Sequence, residues 1–258
     1  MTDVPHRVAV CSPVAQLFAE PRVASAQISQ LLAGRVADVL ETRDDWYRVR
    51  GPDDYEGWMH RGYLTSVSEN GTASIATAKR ISLGCVTTHA GSRRAMPLGA
   101  YLTSDENVLN GEIMDEADQA SMFPPDATAI TRSAQLYFEG TSYFWGGVTP
   151  WGADCSGLVQ SVYWLHGIQL HRDAWQQASQ GIPGESDPVR AQAGDLLFFS
   201  DRIDQHVTHV AISLGGGCLV HLALGRGGYA VERLEDTRDP YVRKLLDRFV
   251  TARRILPI

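Results

Sequence analysis

The sequence predicts an α+β protein: two small β-barrels, then a domain in which helices come first and an antiparallel sheet follows. Three observations carry this. From Val8 to Asp115 the chain breaks into short apolar segments divided by Pro, Gly and Asp turns. From Asp126 to Gly167 two stretches show helical spacing. Beyond Gly194 come the alternating segments GDLLFFS, THVAISLGG, CLVHLAL and YAVERL. The expected domains are residues 1–66, 67–124 and 125–258.

Composition narrows the functional classes. With 258 residues, 44% of them hydrophobic, the chain can bury a sizeable core and is not disordered. A net charge of −7 and the lack of a basic run argue against a nucleic-acid partner. No stretch approaches the roughly 18 apolar residues of a membrane span, so no membrane partner is expected. The start, MTDVPHRVAVCSPVAQLFAEP, lacks a basic segment followed by an apolar run, which points to the cytoplasm. A monomer is expected. The four cysteines are Cys11, Cys85, Cys155 and Cys218. None forms a C-x-x-C pair, so neither a zinc ribbon nor a dithiol site is written here. Cys11, Cys85 and Cys218 sit in strand-like contexts and read as packing residues.

In chain order, VAVCSPV, QISQLLAG, RVADVLETRDDWYRVRG and EGWMHRGYL read as strands with regular turns, which suits a small barrel. Residues 66–76, SVSENGTASIA, read as a linker. The segments ISLGCVTTHAG, AMPLGAYLTS and VLNGEIMD suit a second barrel. Pro124-Pro125 is a stop, and DATAITRSAQLYFEG then reads as a helix with apolar positions Ile130, Ala134, Leu136 and Tyr137, ended by Gly140. RDAWQQASQG reads as a short polar helix. Gly215-Gly216-Gly217 joins two strands as a hairpin, and FVTARRILPI reads as a last strand.

The chemistry gathers around YFWGGVTPWGADCSGLVQSVYWLHGIQL, residues 143–170. A loop of Gly146, Gly147, Pro150 and Gly152 gives way to a helix whose stripe is Leu158, Val162 and Leu165, with Gly167 at its end. Asp154 or Ser156 can cap the first turn. Cys155 is thus expected at a helix N-terminus, where free N–H groups and the dipole favour an anion and lower a thiol pKa.

Two histidines lie on neighbouring strands. In THVAISL, period two puts His209, Ala211 and Ser213 on one face. In CLVHLAL, Leu219, His221 and Ala223 share a face. A three-residue loop, Leu214 to Gly216, would set Ser213 opposite Gly217 and His209 directly opposite His221. A nucleophile, a base and an orienter are what thiol catalysis needs, with His209 as base and His221 as the group that fixes its ring. His166, His171 and His206 read as surface residues.

Two resemblances follow. DDWYRVRGPDDYEGWMHRGYL resembles the distal hairpin of a bacterial SH3-like domain. The ordered set YFWGG, ADCSG, HRDAWQQ, AGDLLFF, HVAISLG and VHLAL, spanning residues 127–258, resembles the NlpC/p60 family of cell-wall cysteine peptidases. That resemblance implies a papain-like (NlpC-type) catalytic domain preceded by two SH3-like barrels. It implies Cys155 as nucleophile, His209 as base and His221 as third member, with no cofactor and no metal. Tyr143 and Trp145 would line the site, with Tyr143 helping to polarise the scissile carbonyl.

The full architecture is similar to γ-D-glutamyl-L-diamino-acid endopeptidases of the dipeptidyl-peptidase VI type. These act on freed murein peptides and release L-Ala-γ-D-Glu during cell-wall recycling. By that likeness Asp154 and Asp173 would meet the substrate's free amine, Ser156 would donate to the D-Glu carboxylate, and Glu56, in the YEGW turn, would close the site. The family's Pro, Ser and P-G-D become His171, Ala174 and Ala193-Gly194-Asp195 here. The hydroxyl missing at Ala174 removes one hydrogen bond, worth roughly 0.5–1.5 kcal/mol. The competing readings are a murein hydrolase or wall-binding protein acting on intact peptidoglycan, an acyltransferase or amidase on the same scaffold, and a zinc site of Cys155, His209 and His221.

Overall fold

The computed structural model describes residues 5–67 and 80–256. The stretch expected as a linker falls mostly outside them. The chain divides into two units: residues up to 119 together with 145–147, and residues 120–144 together with 148 onward.

In the first unit, apolar alternation produces β1 (Arg7–Val10), β2 (Val14–Phe18), β3 (Gln27–Leu32), β4 (Val36–Arg43), β5 (Trp46–Arg50), β6 (Glu56–His60) and β7 (Leu64–Ser66). They make one sheet ordered β3-β2-β6-β5-β4-β1-β7. In β5 and β6, Tyr47 lies opposite Met59 and Val49 opposite Gly57. Val49 and Met59 point into a core of Val8, Val10, Ala15, Leu17, Leu31 and Ala37. Phe18, Trp46 and His60 stack edge to face alongside. Glu56 is not the turn carboxylate expected: it opens β6 opposite Arg50 and is bound by Arg50 and Arg48 at 2.6 and 2.7 Å.

A second sheet is built on β8 (Arg80–His89), which pairs with β9 (Ser92–Met96), β10 (Tyr101–Leu102) and β11 (Asn107–Asp115). Ile81, Met96, Leu102 and Met114 are buried in it. Cys85 is buried here as expected, whereas Cys11 is exposed, because it lies in the turn between β1 and β2 rather than on a strand.

After a short turn α1 (Gln119–Met122), Asp126 caps α2 (Ala127–Phe138) by accepting from the Ala129 amide at 2.8 Å. Ile130, Ala134 and Phe138 are its buried face. Leu136, expected on that stripe, is exposed, since it lies two positions from Ala134 and so on the far side of the helix. The hairpin β12 (Val148–Thr149) and β13 (Gly152–Ala153) leads into α3 (Cys155–Leu165). Leu158, Val159, Val162 and Leu165 of α3 have no exposed surface, and burying each such side chain contributes about 1.5–3 kcal/mol. Gly167 ends the run at φ +74°. His166 is not a surface residue: Nδ1 meets Pro124 O at 2.7 Å and Nε2 meets Ser133 Oγ at 3.0 Å, tying α3 to α2. A single turn, α4 (Ala174–Gln177), follows.

The remaining strands are β14 (Ile182–Pro183), β15 (Asp195–Phe199), β16 (His209–Gly215), β17 (Cys218–Ala223), β18 (Gly228–Arg233) and β19 (Phe249–Arg254). They form an antiparallel sheet ordered β14-β19-β15-β16-β17-β18. Helix α5 (Pro240–Asp247), missed in the sequence because its apolar stripe is short, packs Leu245 with Leu197, Phe199, Ala211 and Leu219.

The β16–β17 register differs from the expected one. Ser213 faces Leu219, not Gly217, because a bulge at Leu214 leaves Gly216-Gly217 as the turn. The shift is by two residues, an even number, so the residues that share a face are unchanged.

Candidate active site

Asp154 fixes where Cys155 stands. Its backbone is extended, and its Oδ1 accepts from the Gly157 amide at 2.7 Å, so α3 begins at Cys155. Asp154 is itself held by Arg172, with Nη1 to Oδ1 at 3.0 Å and Nη2 to Oδ2 at 2.6 Å, both side chains being buried. The same guanidinium donates to Ser156 Oγ at 2.9 Å, and Ser156 Oγ lies 3.2 Å from Asp154 Oδ1. Gln177 Nε2 donates to the carbonyls of Ser156 and His171. Asp154 and Ser156, expected to face substrate, thus anchor the first turn of α3 to the loop before α4. Arg172 and Gln177 lie in the HRDAWQQ segment, but spacing gave no sign that they reach back to α3.

Cys155 is buried, 7% exposed as a residue. Burial pushes its pKa up to about 12, and the Asp154 carboxylate adds to this; the Val210 amide, Arg172 and the Ser156 amide act in the opposite direction. The helix N-terminus was expected to give a thiolate. Instead the desolvation of a buried charge outweighs it, and the neutral thiol is favoured at rest. Helix α3 packs against β16, and Cys155 lies beside Val210 of that strand.

His209 begins β16, with its ring near Phe199. Its Nε2 lies 2.9 Å from Nδ1 of His221 on β17. The register sets His221 opposite Ala211, so the two rings meet along a diagonal and not face to face. A diagonal pair, about 7–8 Å apart along the strands, is within reach of two imidazoles. Burial, then His221, holds the His209 pKa well below the ordinary 6.5. His221 is fully buried, and its Nε2 stands 3.5 Å from Glu232 Oε1 of β18. Tyr241 of α5 packs edge-on to His221. The two rings bond to each other; among the described residues no group of three or more His, Cys, Asp or Glu could hold a metal ion.

Tyr143 reaches this place because its segment is pinned on both sides. Ser142 bridges Gly228, and Tyr143 bridges Ala153. Gly228 must be glycine, since any Cβ there would collide with Thr141 O. Burial raises the Tyr143 pKa, and Cys155 and Asp154 add to the rise. Trp145 is exposed, and its carbonyl accepts from Gln27 Nε2 at 3.0 Å. Asp173 is half-buried at the start of α4, its amide donating to Gln176 Oε1 at 3.2 Å. Ala174 is buried next to it. Glu56 is held by its own sheet, as described above. Of the three histidines read as surface residues, His171 and His206 are exposed. A buried thiol beside the strand that bears His209, whose pKa is held low, can pass a proton to that ring as sulfur attacks a carbonyl.

Among the described residues no helix is long and apolar enough to cross a membrane. Residues 140–249 match the NlpC/P60 family, and residues 17–64 match the bacterial dipeptidyl-peptidase Sh3 domain. Dipeptidyl-peptidase 6 of Lysinibacillus sphaericus is 28% identical over 94% of this chain and 97% of its own. A γ-D-glutamyl-L-lysine dipeptidyl-peptidase of Bacillus cereus is 24% identical over 89% of this chain and 75% of its own. The crystal structure of an NlpC/P60 family protein from Bacillus cereus superposes with a TM-score of 0.79, at 19% identity, over 97% of this chain and 100% of that one. The chain therefore carries a papain-like NlpC/P60 peptidase domain, preceded by an SH3-like domain of the bacterial dipeptidyl-peptidase type.

Proposed function

We propose that the protein is a cysteine endopeptidase that hydrolyses the γ-D-glutamyl-L-diamino-acid bond of murein stem peptides. The substrate carries a free N-terminal L-Ala, and L-Ala-γ-D-Glu is released in cell-wall peptide recycling. The observation that carries the reading is the arrangement of Cys155 at the start of α3, beside the strand that bears His209, with His209 bonded to His221. The likeness to the γ-D-glutamyl-L-lysine dipeptidyl-peptidase of Bacillus cereus supports the substrate class.

In this mechanism the thiol attacks the γ-carbonyl as His209 takes its proton. Backbone N–H groups at the start of α3 face the developing oxyanion. A thioester forms, and His209 protonates the departing diamino-acid amine. Water then hydrolyses the thioester, and the dipeptide leaves. Tyr143 stands near the thiol to polarise the carbonyl. Arg172 already neutralises Asp154, so the half-buried Asp173 is the better counter-charge for the substrate ammonium.

The test compares L-Ala-γ-D-Glu-L-Lys with its N-acetyl form, following dipeptide release by mass spectrometry. Losing a charge-assisted contact to the amine should slow cleavage of the acetylated peptide by roughly ten- to a hundredfold. Equal cleavage of both favours action on intact peptidoglycan. Cleavage of neither overturns the γ-D-glutamyl reading.

A further inference from the structure

The geometry points to Glu232 as a positioning residue that fixes the tautomers of both imidazoles, leaving the His209 nitrogen that faces away from His221 unprotonated. This rests on the reading of Cys155, His209 and His221 as the reacting centre.

Sheet register makes the arrangement. Leu219 faces Glu232 and His221 faces Ala230, so Glu232 shares the His221 face and lies on its diagonal. His209 lies on the opposite diagonal, one strand to the other side. The three side chains form one oblique row across β16, β17 and β18. Glu232 is 5% exposed, yet its carboxylate is held ionised. Burial alone would raise its pKa, but His221 and Arg226 outweigh this and the net direction is down. Arg226 grips it with Nε on Oε1 at 2.7 Å and Nη2 on Oε2 at 2.9 Å. Arg226 is in turn braced by Asp239 and by the Tyr241 ring, 4.2 Å below its guanidinium carbon.

A carboxylate accepts and cannot donate. The His221 nitrogen facing it, Nε2, is buried and makes no hydrogen bond of ordinary geometry. Its best state is therefore Nε2–H, pointed at Glu232 across 3.5 Å. His221 Nδ1 is then a bare lone pair. Across 2.9 Å it can only accept, so His209 Nε2 carries the other proton. His209 Nδ1 is left bare, the form a base needs. When that nitrogen takes the thiol proton, the positive charge sits one ring away from the Glu232 carboxylate, which compensates it. The charged and titratable groups around the pair are Cys155, Glu232, Arg226, Tyr241 and Asp239, and of these the carboxylate is the one aimed at His221.

The test has two arms. In the wild-type protein, ¹⁵N-histidine spectra at pH 7 should show both His221 and His209 protonated at Nε2 and bare at Nδ1. Protonation of either at Nδ1 overturns the proposal, whether or not any variant folds. In the second arm, Glu232→Gln keeps the shape but lets the side chain donate, so the tautomers are no longer dictated. On L-Ala-γ-D-Glu-L-Lys its kcat should fall roughly ten- to a hundredfold with KM little changed, a loss on the scale of impaired base catalysis. The acid limb of kcat/KM should move to lower pH, since the imidazolium loses its counter-charge, and Glu232→Asp should recover part of kcat. An unchanged kcat and acid limb overturn the proposal. Cys155→Ala and His209→Ala measured alongside separate the two readings: turnover in these sinks the catalytic assignment, whereas their inactivity beside a normal Glu232→Gln sinks only the role of Glu232.

Discussion

His209 Nε2 and His221 Nδ1 lie 2.9 Å apart although their residues are not opposite one another in the sheet. The contact is made by ring length across a diagonal, so a shorter side chain at 221 cannot replace it. His221→Ala should lower kcat by roughly 10²- to 10⁴-fold while KM stays within a few-fold. His221→Asn, which offers an acceptor closer to its own strand, should recover little. Steady-state kinetics on the tripeptide check this, and near-wild-type turnover by the alanine variant contradicts it.

The thiol of the free protein should be sluggish. Burial and Asp154 raise its pKa to about 12, so the nucleophilic thiolate is scarce at neutral pH. Alkylation of Cys155 by iodoacetamide should be slower at pH 7 than that of free cysteine, and should still be rising at pH 10. A rate that levels off below pH 7 would mean a thiolate exists before substrate binds.

Arg172 and Asp154 are a buried pair, 1% and 7% exposed at their side chains. Removing one partner strands a charge in the interior. Arg172→Met should therefore cost about 3–5 kcal/mol of stability in urea denaturation. A loss below about 1 kcal/mol, the worth of an exposed pair, would show that the pair is not carrying the first turn of α3.

Stability should peak near neutral pH. His209 and His166 are both held below 6.5 by burial, with His221 adding to the effect at His209, whereas the Pro124 carbonyl opposes it at His166. Below pH 6.5 the unfolded chain binds these protons and the folded one resists, so stability falls as pH falls. At the other end, Cys155 keeps its proton folded but loses it unfolded from about pH 8.5 upward, so stability falls there as well. Urea midpoints at pH 5, 7 and 9.5 should be highest at 7; a midpoint that rises at either extreme contradicts this.

The site was legible where chemistry is written in consecutive residues. Asp154-Cys155-Ser156-Gly157 states a capped helix start, and strand alternation put His209 and His221 on one face even though the assumed register was off by two. The arrangement was hidden where it depends on which distant segments meet. Arg172 reaching Asp154, Glu232 facing His221 and Tyr241 packing on the ring follow from the placement of a loop, from the register of β17 with β18 and from the position of the short helix α5, and no local pattern encodes these. The thiol's charge state failed for the same reason: the sequence displays the helix dipole, but burial is a property of the whole fold.

The most direct check of the central claim is release of L-Ala-γ-D-Glu from L-Ala-γ-D-Glu-L-Lys by the wild-type protein and by Cys155→Ala, the two matched in circular dichroism. The wild type should release the dipeptide, and the alanine variant should release none above background. Comparable release by both would show that sulfur is not the nucleophile.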